Sequence, residues 1–109
     1  MHSIKEIDVA ELHARLNGAD GSDLILVDVR TPAETARGAI QGARHIPLHM
    51  LPLSEHELPH KNDTAVVFYC QSGVRSAQAC AFMSLRGRAN VYNLRGGFQA
   101  WQQGGRPAG

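Results

Sequence analysis

No apolar run in these 109 residues approaches the roughly 20 needed to cross a bilayer. Residues 1–6 also lack the apolar stretch of a secretory signal, so the expected address is the cytoplasm and no membrane role is expected. An excess of charge of one sign is missing too. Eleven Lys and Arg against ten Asp and Glu leave a formal net charge of +1 with histidines neutral, too little to draw the chain to nucleic acid. Cysteine is scarce: Cys70 and Cys80 are too few for a disulfide framework and read as reduced thiols. Charged residues make up only 19% and are interspersed, which argues against a disordered tail, while 43% hydrophobic residues suffice for one core. Internal repeats, low-complexity stretches and linkers are absent, so residues 1–109 are read as a single domain.

What is present alternates between strand and helix signals. Residues 4–7 read as a short strand, and Asp8 followed by Glu11 reads as a capping box opening a helix with Val9, Leu12 and Leu16 as its buried stripe. Asn17 and Gly18 are expected to stop that helix in a left-handed conformation, followed by a polar turn at Asp20, Gly21 and Ser22. Residues 24–27 form an unbroken apolar run, the mark of a strand covered on both faces, continued by Asp28, Val29 and Arg30. Thr31, Pro32 and Glu34 occupy cap, first and third positions of a short helix expected to run to about Gly38. Residues 44–46 read as a strand closed by Pro47, and residues 48–58, punctuated by Pro52 and Pro59, as broken helix. Residues 65–69 are a second buried strand with Cys70 at its carboxyl end. A helix is expected over 76–86 with Gly87 as its stop, a strand over 91–94, a turn at Gly96 and Gly97, and a helix over 98–103 that buries Trp101. This order predicts an α/β fold: about five parallel strands with helices on both faces.

Ligands of open parallel sheets collect beyond the carboxyl ends of the strands, where the segment Cys70, Gln71, Ser72, Gly73, Val74, Arg75 and Ser76 lies before a helix start. Amides of a tight loop there can converge on one centre, with Gly73 supplying the positive φ that convergence requires. A thiolate at that centre is expected to have a depressed pKa, favoured by the helix start and by nearby Arg75, which makes Cys70 a candidate nucleophile.

The loop CQSGVRS resembles the active-site loop of the rhodanese family, in the C-x-x-G-x-R-S form of its small single-domain members. The stretch from Asp28 through Glu34, then Gly38 through Pro47, is similar to the family's amino-terminal signature, and Leu94 through Trp101 to its carboxyl-terminal one. The resemblance therefore spans nearly the whole chain in the family's order. One departure is Ala39, which stands where the family usually has histidine. The resemblance implies a thiosulfate sulfurtransferase without cofactor, in which Cys70 takes the outer sulfur of thiosulfate or a similar donor as a persulfide. It then yields that sulfur to cyanide, a small thiol or a protein thiol. By the same resemblance the amides from Gln71 to Ser76 hold the persulfide and Arg75 binds the anionic donor. Arg30 is read either as a second anion-binding residue or as a structural one paired with a carboxylate such as Glu34.

Blander readings apply elsewhere. Cys80 sits among alanines and reads as a packed thiol. His45 with His49, and His56 with His60, have i, i+4 spacing, but prolines interrupt both pairs and nothing completes a metal set, so they read as solvated. Arg86, Arg88 and Arg95 read as an exposed helix end and loop or as a docking patch. Two rival functions remain. A cysteine phosphatase or arsenate reductase has five residues between cysteine and arginine to wrap a tetrahedral oxyanion, whereas four separate Cys70 from Arg75. A non-catalytic or sulfur-carrier interaction module would keep the fold, but such modules typically lack the cysteine.

Overall fold

The computed structural model describes residues 4–18, 24–60 and 64–105. Five strands, β1 (Glu6–Ile7), β2 (Leu24–Asp28), β3 (Arg44–His45), β4 (Ala65–Tyr69) and β5 (Val91–Leu94), form one sheet in the order β1-β5-β4-β2-β3. Every pairing is parallel, as the strand–helix alternation predicts. The expected turn at Asp20 to Ser22 lies outside the described residues.

Helix α1 (Val9–Asn17) opens on the predicted capping box. The Asp8 carboxylate accepts the Glu11 N–H at 2.8 Å and Glu11 accepts the Asp8 N–H at 3.1 Å. Its end differs from expectation. Gly18 has φ −89° and ψ 173°, so the chain leaves the helix in an extended conformation and not in a left-handed one. Helix α2 (Pro32–Ala36) repeats the capping box with Thr31 and Glu34 and ends two residues before the predicted position. Residues 48–57 are broken helix as expected: two 3₁₀ turns, Leu48–Met50 and Glu55–Glu57, flank α3 (Leu51–Ser54). Helix α4 (Val74–Leu85) starts two residues before the predicted position, and α5 (Gly97–Gln103) one residue before.

Alternation along the strands sends two apolar sets to opposite faces. On one face Val27, Val66, Phe68 and Cys70 pack with Ala79, Cys80 and Met83 of α4 and with Leu51 and Leu58. On the other, Leu24, Leu26, Val67, Tyr69 and Leu94 pack with Leu12 of α1 and Phe98 and Trp101 of α5. All five residues of β4 are buried, which explains its unbroken apolar run. Among the described residues, no helix is long and apolar enough to cross a membrane.

Arg88 departs from its reading as an exposed residue. It is 4% exposed, pairs with the Glu55 carboxylate at 3.1 Å, and donates to the carbonyls of Glu55 and Leu58. It thereby ties the turn that follows α4 to the broken helix. Arg86 and Arg95 are exposed, as read, and pair with Glu55 and Glu6.

Candidate active site

In the central part of the sheet, β2 and β4 end together, with Asp28 opposite Tyr69. The chain after β4 is Cys70, followed by a loop that closes at Gly73, where φ is +108°. A side chain rarely adopts that conformation, so glycine is required there by the turn itself. The turn aims the loop at the sulfur. The Gly73 N–H donates to Cys70 Sγ at 3.1 Å, the Ser76 N–H at 3.4 Å, and the Ser76 hydroxyl lies 3.3 Å away. Ser76 is the third residue of α4, so its N–H is one that the helix leaves without an internal partner. Burial pushes the Cys70 thiol up, but hydrogen bonds from the Ser76 hydroxyl and N–H and from the Gly73 and Ser72 N–H groups bring it below its ordinary value. Cys70 is 1% exposed, so the sulfur forms the floor of the loop.

The loop is held from behind. The Phe98 and Gln99 N–H groups at the start of α5 donate to the carbonyls of Cys70 at 2.8 Å and Gln71 at 3.0 Å. A Cβ on Gly97 would stand 2.5 Å from the Cys70 carbonyl oxygen and 2.7 Å from Gln71, so only glycine permits this approach. Sequence reading took Gly96 and Gly97 as turn geometry alone. Asn93 of β5 was missed altogether. It is buried, its Nδ2 donates to the Gly73 carbonyl at 3.2 Å and to Glu6 at 3.3 Å, and its Oδ1 lies 2.5 Å from the Ser76 hydroxyl. The detectable signal was a polar residue in an otherwise apolar strand.

The carboxylate expected beside Arg30 is taken by Arg75 instead. Arg30 is buried at 2% exposure and pairs with Asp28, not Glu34, through Nε and NH2 at 2.8–3.3 Å. It also donates to the Gly38 carbonyl at 2.7 Å, reaches Gln71 Oε1 at 3.4 Å, and stacks 4.4 Å over the Phe98 ring. Asp28 accepts further bonds from the hydroxyls of Tyr69 and Thr35. Burial raises the Asp28 carboxyl, and the Arg30 bonds more than offset that, leaving it below its ordinary value. Glu34 instead takes Arg75 in a two-pronged pair at 2.7 and 2.8 Å. The contribution that sequence reading assigned to Arg75 in activating Cys70 falls mainly to Ser76, Gly73 and Ser72, because both terminal nitrogens of the guanidinium are bound to Glu34.

Val74 projects from the loop at 65% exposure, and Ser72 is also exposed. A cleft of about 270 Å³ beside the loop is lined by Val29, Arg30, Thr31, Pro47, Leu48, His49 and Arg75. Cys80 is buried in the core and its thiol is pushed up to about 12, by burial first and by Glu6 second. His45, His49, His56 and His60 are exposed, and His45 Nε2 lies 2.7 Å from the Arg30 carbonyl.

Residues 8–104 match the family model for the rhodanese-like domain. This chain belongs to the rhodanese family. This rhodanese domain is 48% identical over 104 residues to a sulfurtransferase of Allochromatium vinosum, covering 95% of this chain and 94% of the relative. It is 33% identical over 104 residues to the thiosulfate sulfurtransferase GlpE of Stutzerimonas stutzeri, covering 94% and 88%. Among solved structures, a rhodanese-related protein of Thermoplasma volcanium superposes with a TM-score of 0.84 at 30% identity, covering 96% of this chain and 97% of that one.

Proposed function

We propose that this rhodanese domain is a sulfurtransferase that carries sulfane sulfur as a persulfide on Cys70. The observation that supports this reading most is the convergence of the Gly73 and Ser76 N–H groups and the Ser76 hydroxyl on one sulfur. Such donors stabilise a sulfur anion without a metal, and they need no reorganisation when charge develops. The sulfurtransferase relatives support the same class of reaction.

In the first half-reaction the Cys70 thiolate attacks the sulfane sulfur of a donor such as thiosulfate. The donor's S–S bond breaks, sulfite leaves with the electron pair, and Cys70 carries the new S–S bond. In the second, a thiol, protein thiol or cyanide attacks the outer sulfur and the Cys70 thiolate departs. Because Cys70 lies at the floor of the loop, the added sulfur brings the reacting atom outward toward the acceptor. No oxidant or cofactor enters the balance. Two unbridged thiols fit a reducing, cytoplasmic setting.

The test is incubation with thiosulfate followed by intact mass measurement. A gain of one sulfur atom, absent in Cys70→Ala and removed by cyanide, is the expected result. No gain with thiosulfate or with any persulfide donor would sink the reading in favour of a binding module.

A further inference from the structure

The donors a persulfide-forming cysteine meets differ in where their charge sits. Thiosulfate is a dianion that keeps negative charge on a sulfonate outside the atom being transferred. An alkyl persulfide, R–S–SH, carries at most one negative charge, and carries it on the transferred sulfur. The Gly73 and Ser76 N–H groups and the Ser76 hydroxyl point at the sulfur of Cys70, so they serve the transferred atom. A sulfonate beside them is held most strongly by a cation of its own.

Neither guanidinium at the loop is uncompensated. Arg30 is buried and occupied by Asp28 and the Gly38 carbonyl. Arg75 is two-thirds buried and bound through both terminal nitrogens to Glu34, itself 29% exposed. Glu34 is set in place before Arg75 meets it. As the third residue of α2, its Oε1 accepts the Thr31 N–H and the Thr31 hydroxyl, each at 3.1 Å. To use Arg75, a sulfonate must either displace a carboxylate of like charge or share the guanidinium's remaining N–H groups with it. The exchange of one anion for another brings little electrostatic gain, and the nearby carboxylate repels the newcomer.

We propose that Glu34 is a specificity-determining residue: by holding Arg75 it biases Cys70 toward alkyl persulfides and against thiosulfate. This rests on Cys70 being the sulfur-accepting nucleophile. The favoured step balances as Cys70–S⁻ + R–S–SH → Cys70–S–SH + R–S⁻. The donor's S–S bond breaks, R–S⁻ takes the electron pair, and the proton stays with the outer sulfur until it passes to R–S⁻ or to water.

The test compares initial rates of sulfur loading by intact mass, using thiosulfate and N-acetylcysteine persulfide at one ionic strength. The readout is the thiosulfate-to-persulfide ratio in the wild type, Glu34→Gln, Arg75→Ala and the double variant. Gln still serves as the third residue of a capping box, so α2 keeps its start. The ratio is expected to rise about fivefold or more in Glu34→Gln, the scale of one partly exposed ion pair, and the rise is expected to disappear when Arg75→Ala is added. Should circular dichroism show Glu34→Gln misfolded, Glu34→Asp carries the same expected direction, because it keeps first-turn charge but withdraws the carboxylate from Arg75. A ratio indifferent to residue 34, or a rise that persists without Arg75, overturns the inference. Loading from neither donor in the wild type would instead sink the sulfurtransferase reading itself.

Discussion

The Ser76 hydroxyl sits between two acceptors, 2.5 Å from Asn93 Oδ1 and 3.3 Å from Cys70 Sγ, and has one proton to give. The Asn93 amide is oriented unambiguously, because its nitrogen faces the Gly73 carbonyl and the Glu6 carboxylate, both of which only accept. While Cys70 is a thiol, its S–H can donate to Ser76 and the hydroxyl to Asn93. Once the sulfur is an anion, the hydroxyl can turn toward it. Ser76→Ala removes a donor to a charged group, so the pH profile of Cys70 alkylation should move upward and thiolate reactivity at neutral pH should fall about tenfold. An unmoved profile would show that the backbone amides alone set the sulfur's charge.

Gly97→Ala should damage the loop from behind. At φ +62°, with its new Cβ 2.5 Å from the Cys70 carbonyl oxygen, the variant must shift either α5 or the loop. A stability loss on the order of 3 kcal/mol in urea unfolding is expected, together with slower sulfur loading. Gly87→Ala supplies the contrast: it too has positive φ, at +83°, but its added Cβ meets nothing within 4 Å, so its cost should be backbone strain alone.

Asp28→Asn should leave the buried Arg30 charge without its partner. Both side chains are almost fully buried, and breaking such a pair from one side costs about 3–5 kcal/mol. A melting temperature within a degree or two of wild type would contradict the placement of Arg30 as a structural residue.

Acid stability should report Glu34. The Arg75 hydrogen bonds, opposed by some burial, lower its carboxyl from an ordinary 4.5 to about 2. A depressed carboxyl stabilises the fold fully above its unfolded value and loses that contribution as pH falls through its folded one. Stability should therefore decline between about pH 4.5 and 2, and Glu34→Gln should flatten part of that decline in urea midpoints measured against pH. Asp28, also held below its ordinary value, should account for part of what remains.

The two cysteines should separate in a thiol titration. Cys80, pushed up to about 12 in the core, should react only after unfolding, whereas Cys70 should react in the native state. Equal reaction rates for both in the folded protein would contradict this assignment.

Much of this molecule is written locally. Both capping boxes, the buried run of β4, the broken helix around Pro52 and the positive φ of Gly73 follow from side-chain chemistry within a few residues, and all were legible before any coordinates. The cradle expected around Cys70 from the amides of Gln71 to Ser76 was legible in outline, and the Gly73 and Ser76 N–H groups are the ones that reach the sulfur. What tertiary structure alone decided is who pairs with whom across the fold. Asp28 and Glu34 stand six residues apart, and nothing local says which of them takes Arg30 and which takes Arg75, 41 residues beyond Glu34. Asn93 meets Ser76 and Gly97 meets Cys70 only because parallel β5 lies beside β4 and brings distant segments to one end of the sheet. Local conformation is governed by short-range sterics and hydrogen bonding, while the partner of a charge is set by packing, which no window of sequence contains.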